Sequence, residues 1–381
     1  MPSNTHTHTR STMSPQTPLF QRALVQSSTA GVLSLTETRP VPKPLPDQVL
    51  IRVAAVALNP CDWKMPTNFP CSGAGVGSDY SGTIVELGSA VSVSPMLKMG
   101  DRVAGAVHAS NSLNPQSGAF AEYIVMAADM LWRVPDSMSF AEAAAIGWCV
   151  LGTVGLATLH KRHLGLPGTP EQPFVAADES KKPWALVYAG STASGTMAIQ
   201  VLRLSGFRVL TTCSPANFSL AESYGAEKAF DYHSPSLAQD VRAYTRNNLG
   251  YVVDIIADAN SLRQCYASIG RAGGRYVGFE LVPDELVAAM GRKTVKASWV
   301  LGIRMSGSEI ALDRGYGSAA DPELHAWGVT LFKRMEKLIW DGKIRPHPVQ
   351  VDDKSGLEGV VAGVEKLRNR EVSGKKLVYM F

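Results

Sequence analysis

The sequence predicts an α/β protein in which a doubly wound parallel sheet is joined to a smaller, partly closed antiparallel β-barrel. Strand and helix patterns alternate from Val187 to Glu280, whereas from Leu19 to about Val134 short strand patterns are separated by Pro and Gly. With 381 residues, 45% of them hydrophobic, the chain is long enough to bury two cores.

Residues 1–18 are rich in Thr, Ser, His and Pro and read as a disordered tail, with His6 and His8 as solvated side chains. Val49–Leu58 is the strongest strand of the barrel region, followed by Gly82–Glu86, Asp101–Val107 and Phe120–Met126. Ser139 with Glu142 forms a capping box ahead of an alanine-rich helix. Leu164–Pro183 reads as an inserted loop, either a partner contact or a surface excursion. In the sheet region the helix Thr196–Ser205 stops at Gly206, and Phe207–Cys213 is the next strand. The strands Lys228–Asp231, Val252–Ala257 and Gly274–Glu280 follow, with a helix over Ser261–Ile269. Leu324–Trp340 as helix and Lys376–Met380 as strand return to the barrel.

A net charge of +4 excludes a strong case for nucleic acid, and no apolar run is expected to reach membrane-spanning length. The five cysteines, Cys61, Cys71, Cys149, Cys213 and Cys265, have no paired metal spacing, which points to a reducing, cytoplasmic location.

The turn Ala189-Gly190-Ser191-Thr192-Ala193-Ser194-Gly195 runs from a strand into a helix and is poor in glycine but full of hydroxyls. Unpaired amides and the positive end of a helix suit a nucleotide pyrophosphate there, which makes Ser191, Thr192, Ala193 and Ser194 cofactor-binding candidates. At the tip of the second strand, where NADH binders carry an acid, stand Ser214, Pro215, Ala216 and Asn217. The missing carboxylate favours NADPH. Asn217 is either a phosphate donor or the cap of the next helix. Tyr232 either reaches the adenosine face or is a half-buried tyrosine, and Gly278, Phe279 and Glu280 fall near the nicotinamide half.

Gly77-Ser78-Asp79-Tyr80-Ser81-Gly82, Gly100-Asp101-Arg102-Val103 and Gly118-Ala119-Phe120-Ala121-Glu122-Tyr123, in that order, resemble the medium-chain dehydrogenase/reductase superfamily. Leu58-Asn59-Pro60-Cys61-Asp62-Trp63-Lys64 and Cys213-Ser214-Pro215-Ala216-Asn217-Phe218 are similar to the trans-acting enoyl reductases that serve fungal iterative polyketide synthases, the lovastatin-pathway type. The resemblance implies a Rossmann-type NADPH-binding domain over 156–309 and a GroES-like domain over 19–155 and 310–381. It adds Cys61, Asp62, Trp63, Lys64, Val372 and Ser373 as cofactor contacts, with Lys64 catalytic. It also places an apolar substrate wall at Gly147, Trp148, Cys149, Val150, Leu151, Gly152, Thr153 and Val154 and at Trp299, Val300, Leu301, Gly302 and Ile303. An ordinary interdomain core is the other reading of that wall.

Zinc-dependent members of the superfamily hold a catalytic zinc that this pattern lacks: Asn59 occupies the cysteine position and Ser78 the histidine position. No metal is therefore expected. Reduction of an activated double bond fits, because the thioester carbonyl is its own electron sink once hydride reaches the β-carbon. The implied partners are a carrier-tethered polyketide and a highly reducing polyketide synthase or a synthase–peptide synthetase hybrid. Lys161, Arg162, Lys181, Lys182, Lys293 and Arg304 are candidate contacts with an acidic carrier. The resemblance implies a monomer, while Val295–Arg304 is an edge strand through which many superfamily members pair. A free quinone or alkenal reductase and a non-catalytic cofactor-binding subunit are the alternatives.

Overall fold

The computed structural model describes residues 17–93, 96–352 and 356–381, so His6, His8 and nearly all of the expected tail lie outside the described residues. The chain opens with an antiparallel pair, β1 (Phe20–Gln26) and β2 (Leu33–Pro40). It continues through β3 (Gln48–Ala57), α1 (Cys61–Asn68), β4 (Asp79–Leu87), β5 (Arg102–Ala106), β6 (Tyr123–Ala127) and β7 (Trp132–Arg133). β3 is the spine of this half: it pairs antiparallel with β4 and β6, and bulges at Leu50/Ile51 and Val53/Ala55 curve it. α2 (Phe140–Ala144), a π-helical turn at Trp148–Gly152 and α3 (Thr153–Leu159) then lead out of the barrel. The capping box at the start of α2 is present as expected, Ser139 Oγ accepting from Glu142 N while Glu142 Oε2 accepts from Ser139 N.

The second half alternates β8 (Trp184–Tyr188), α4 (Ala193–Leu204), β9 (Arg208–Cys213), α5 (Phe218–Ser223), β10 (Lys228–Asp231) and α6 (Leu237–Tyr244). β11 (Leu249–Asp254), α7 (Ala259–Ser268), β12 (Gly274–Gly278), α8 (Asp284–Ala289) and β13 (Val295–Trp299) complete it. All six strands are parallel in the order β10-β9-β8-β11-β12-β13. The order reverses between β8 and β11, which sets a ligand crevice at the end of β8. α9 (Pro322–Trp340), β14 (Val349–Val351), α10 (Leu357–Arg368) and β15 (Lys376–Met380) carry the chain back, and β15 pairs with β3 through Val378 opposite Ala57.

Several boundaries differ from the sequence reading for local reasons. β11 stops at Asp254 because its carboxylate accepts from the amides of Ile256 and Ala257, and Ala257 turns the chain at φ +53°. The edge strand expected to run to Arg304 stops at Trp299, and residues 302–306 form a 3₁₀ turn ended by left-handed Gly307. Contrary to the expectation that no apolar run reaches spanning length, Phe140–Leu159 does so with a mean hydropathy of 1.6, and 83% of its tested window is buried inside the fold. The 164–183 loop is packed down: Phe174 N donates to Ser205 O, and Glu171 pairs with Arg334 of α9 at 2.9 Å.

α9 buries Leu324, Gly328, Leu331, Phe332, Met335, Leu338 and Ile339 along one face. Phe332 meets Trp148 edge to face at 5.8 Å, tying the return helix to the exit from the barrel. Phe332→Ala is expected to cost about 3–5 kcal/mol of stability in a denaturant titration.

Candidate active site

β8 is wholly buried and delivers the chain to the turn at its carboxyl end. Ala189 takes φ +71° there, a conformation that costs an alanine on the order of 1–2 kcal/mol. A Cβ on Gly190 would lie 1.8 Å from Thr211 Oγ1, and one on Gly195 would lie 2.3 Å from the Ala189 carbonyl oxygen. The two glycines thus let the turn fold tightly against β9 and the start of α4. Thr192 caps α4: its hydroxyl accepts from Gly195 N at 3.0 Å and donates to Ala189 O at 2.8 Å. One of the hydroxyls expected to meet phosphate is therefore spent on the cap, while Ser191 and Ser194 stay half-buried at the helix N-terminus beside Ala193.

At the tip of β9 the Asn217 side chain does not cap α5. Its amide donates instead to Ser214 Oγ at 3.2 Å and to Ser373 Oγ at 3.1 Å. Ser373 arrives from the turn before β15, next to half-buried Val372. Pro215 and Ala216 are exposed between them. Tyr232 lies just past β10, stacked on His233 at 4.0 Å and edge-on to Tyr188.

Across the crevice, Lys64 of α1 reaches Glu280, two residues beyond β12, with Nζ 3.2 Å from Oε2. The Tyr316 hydroxyl donates to the other oxygen of Glu280. Tyr316 packs edge-on against Phe69 and Trp299. Sequence reasoning named Lys64, Glu280 and Trp299 separately and missed Tyr316, which lies in a segment without periodicity.

Behind α1 lies a buried polar cluster. Asn59 donates to Asp79 Oδ2 at 2.9 Å and accepts from Lys376 Nζ, which is itself 3.6 Å from Asp79. Asp79 also accepts from Cys149 N, and Asp62 accepts from Asn59 N at 2.7 Å. Cys61 sits at its edge, 4.0 Å from Ser78 Oγ. Burial pushes the Asp62 carboxyl up to about 7, with Asp79 adding to the shift, and burial raises Asp79 as well. Among the described residues no group of three or more His, Cys, Asp or Glu is placed to hold a metal ion.

The alcohol dehydrogenase GroES-like domain matches residues 45–136, and the zinc-binding dehydrogenase domain matches residues 193–313. A trans-enoyl reductase of Thermothelomyces thermophilus is 70% identical over 96% of this chain and 98% of its own length. The chain belongs to the trans-enoyl reductases, within the medium-chain dehydrogenase/reductase superfamily. A Penicillium citrinum trans-enoyl reductase is 54% identical, covering 95% of this chain and 98% of the relative. In fold, the chain is similar to the CurK enoyl reductase, with a TM-score of 0.72 at 18% identity over 94% of this chain and 99% of that one. It is also similar to mycobacterial Rv1454c, complexed with NADPH, with a TM-score of 0.70 at 20% identity over 95% of this chain and 100% of that one.

In this trans-enoyl reductase the expected site residues separate by burial. Asp62, expected to touch cofactor, is only 2% exposed and turned into the polar cluster; Cys61, Trp63 and Lys64 are half-buried. Trp148, Val150, Leu151 and Val154 are core residues, and Gly147 is held against Asp79, whose side chain a Cβ would meet at 2.2 Å. Gly152 and Thr153 are buried as well, and Cys149 alone of that segment stays half-buried. Val300 and Gly302 are buried, Ile303 is half-buried, and Trp299 and Leu301 line a cavity. Of the expected carrier contacts, Lys161 and Arg162 pair with Glu323 and Asp321, Lys181 with Asp178 and Lys182 with Glu179, whereas Lys293 is exposed.

The raised Asp62 carboxyl has a stability consequence. Between its ordinary value of 3.8 and about 7 the unfolded chain has released this proton while the folded chain still holds it, so folding weakens as pH rises through that window. Asp62→Asn removes this contribution, worth up to about 4 kcal/mol. Denaturant melts from pH 4 to 8 should show a flatter pH profile for the variant than for the wild type.

Proposed function

We propose that this reductase uses NADPH and takes its substrate, an α,β-unsaturated polyketide thioester, from the carrier domain of a separate highly reducing synthase or synthase–peptide synthetase hybrid. The observation that carries the cofactor assignment is the tip of β9. It holds no acid, and Asn217 is directed to Ser214 and Ser373 rather than to the helix it precedes. These three side chains would offer donors to a 2′-phosphate without the repulsion a carboxylate brings. Ser191, Ser194 and the amides opening α4 would hold the pyrophosphate, on a turn that Gly190 and Gly195 let close tightly against β9 and α4. Tyr232 would flank the adenosine, and Phe279 and Val372 would border the cofactor from β12 and the return segment. Bound nicotinamide supplies the hydride.

The chain's own part is positioning and charge. Lys64 would exchange Glu280 for a ribose hydroxyl or for the oxygen on which negative charge develops, holding a cation beside the enolate. The pair is more than one-third exposed on the lysine side, so breaking it costs little. Trp299 and Leu301 supply apolar surface beside the crevice for the substrate's thioester arm. The assignment to 19–155 with 310–381 for the barrel half and 156–309 for the cofactor half follows the sheet partition, in which residues beyond 340 rejoin β3. A monomer is supported by the short edge strand β13, which exposes Lys296 along its length. A reducing, cytoplasmic setting is supported by the five free cysteines.

Steady-state NADPH oxidation with a defined enoyl thioester tests this reading. NADPH should be strongly preferred to NADH, and equal use of both removes the assignment of the β9 tip. Asn217→Asp should weaken NADPH on the order of 10–100-fold and narrow the preference. Lys64→Ala should lower kcat/KM by on the order of 10–100-fold, the usual worth of one charged hydrogen bond; an unchanged rate would exclude the role given to Lys64.

A further inference from the structure

We propose that the cavity between α3, the end of β13 and the start of α9 is an anion subsite for the phosphate of the substrate's phosphopantetheine arm, an assignment that rests on the carrier-bound reading above. The cavity is walled by Leu156, Trp299 and Leu301 and carries His160, His163 and Arg304 on its polar side. Its charges are unequal. Asp321 is already engaged: it accepts from Arg162 and from Leu324 N, where it caps α9. His163 is held by Ser298 Oγ at 3.2 Å, and burial pushes its imidazole down to about 4, so it is neutral at neutral pH. His160 accepts from Arg162 N at Nδ1 and has its imidazole lowered, first by burial. Arg304 takes part in no ion pair among the described residues, and its Nε is buried without a hydrogen-bond partner. Its guanidinium lies over the Trp299 ring, 4.6 Å from the centroid, which fixes the group in place. A half-buried cation with a shielded, unpartnered Nε is completed by an oxyanion, and a planar guanidinium matches phosphate oxygens in particular.

The cofactor's own phosphates do not account for it. Their donors lie at the ends of β8 and β9, and the strand order puts β11 and β12 between β8 and β13. Three strand spacings are about 14 Å. The cavity adjoins the crevice on the other side: Trp299 separates Arg304 from Tyr316, which hydrogen-bonds Glu280 opposite Lys64. An anion carried at a fixed distance from the reacting thioester therefore fits the position, and the phosphate of the carrier arm is such a group. The apolar walls suit the pantetheine chain.

Titration calorimetry with 4′-phosphopantetheine and with pantetheine, on the NADPH-loaded enzyme, tests the subsite. The phosphorylated arm should bind roughly tenfold more tightly, Arg304→Gln should bring the two affinities together, and Arg304→Lys should restore part of the difference. Equal affinities in the wild type, or an undiminished difference in Arg304→Gln, would overturn the proposal. Inorganic phosphate should erase the difference by competition; if it binds at Arg304 while the two arms bind alike, the pocket is a free-phosphate site and the substrate assignment falls. Turnover of matched enoyl thioesters should repeat the preference in KM. Failure to oxidise NADPH with either thioester, with the calorimetric difference intact, would sink the enoyl-reductase reading and leave the subsite standing.

Discussion

Lys376 sits on the last strand of the chain, and its ammonium is buried between the side chains of Asn59 and Asp79. Losing water from such a pair is costly, and removing one partner typically costs about 3–5 kcal/mol because the other charge is left unmatched. The geometry around the pair explains why it is kept. Asn59 stands at the junction of β3 and α1, Asp79 opens β4, and the second oxygen of Asp79 receives the Cys149 amide from the π-helical turn. One charged contact thus ties the C-terminal strand, the start of α1 and the exit from the barrel to a common point. Lys64 stands two residues beyond Asp62 on that same helix, so its reach across the crevice depends on this anchor.

The arrangement performs a structural task with hydrogen bonds and one ammonium. Asp79 lies close enough to raise the proton affinity of Asp62, and Lys376 opposes that effect. A buried network of this kind is stable only when its members are satisfied, and each of these groups has a partner. The contrast with Lys64 is one of exposure. The Lys64–Glu280 contact lies at the crevice mouth, is screened by water and can be exchanged, while the cluster behind it cannot.

The turn after β8 combines rigidity and strain in a similar way. Ala189 adopts a backbone conformation better suited to glycine, and Thr192 holds the turn closed by bonding both ends of it. The strain is retained because neighbouring contacts over-determine the geometry, and such local outliers cluster at ligand sites. Small residues and one hydroxyl cap close this turn tightly between β8 and α4.

By itself the sequence determined what depends on near neighbours. The alternation of strands and helices, the Ser139–Glu142 cap and the strand-to-helix turn at 189–195 are all set by spacing within a few residues. So were the limits of some elements missed, because Asp254 ends β11 with its own carboxylate, a choice that periodicity does not register. Asn217 illustrates the boundary: local spacing offers its side chain as a helix cap, and only the arrival of Ser373, 156 positions away, shows where its amide goes instead. Tyr316 beside Glu280 and Arg304 over Trp299 likewise come from segments without a repeat pattern. Lys376 meets Asn59 across 317 positions. Contacts of that span are decided by how two sheets and the return helix pack, since burial and charge pairing act through space, whereas propensity and turn chemistry act along the chain.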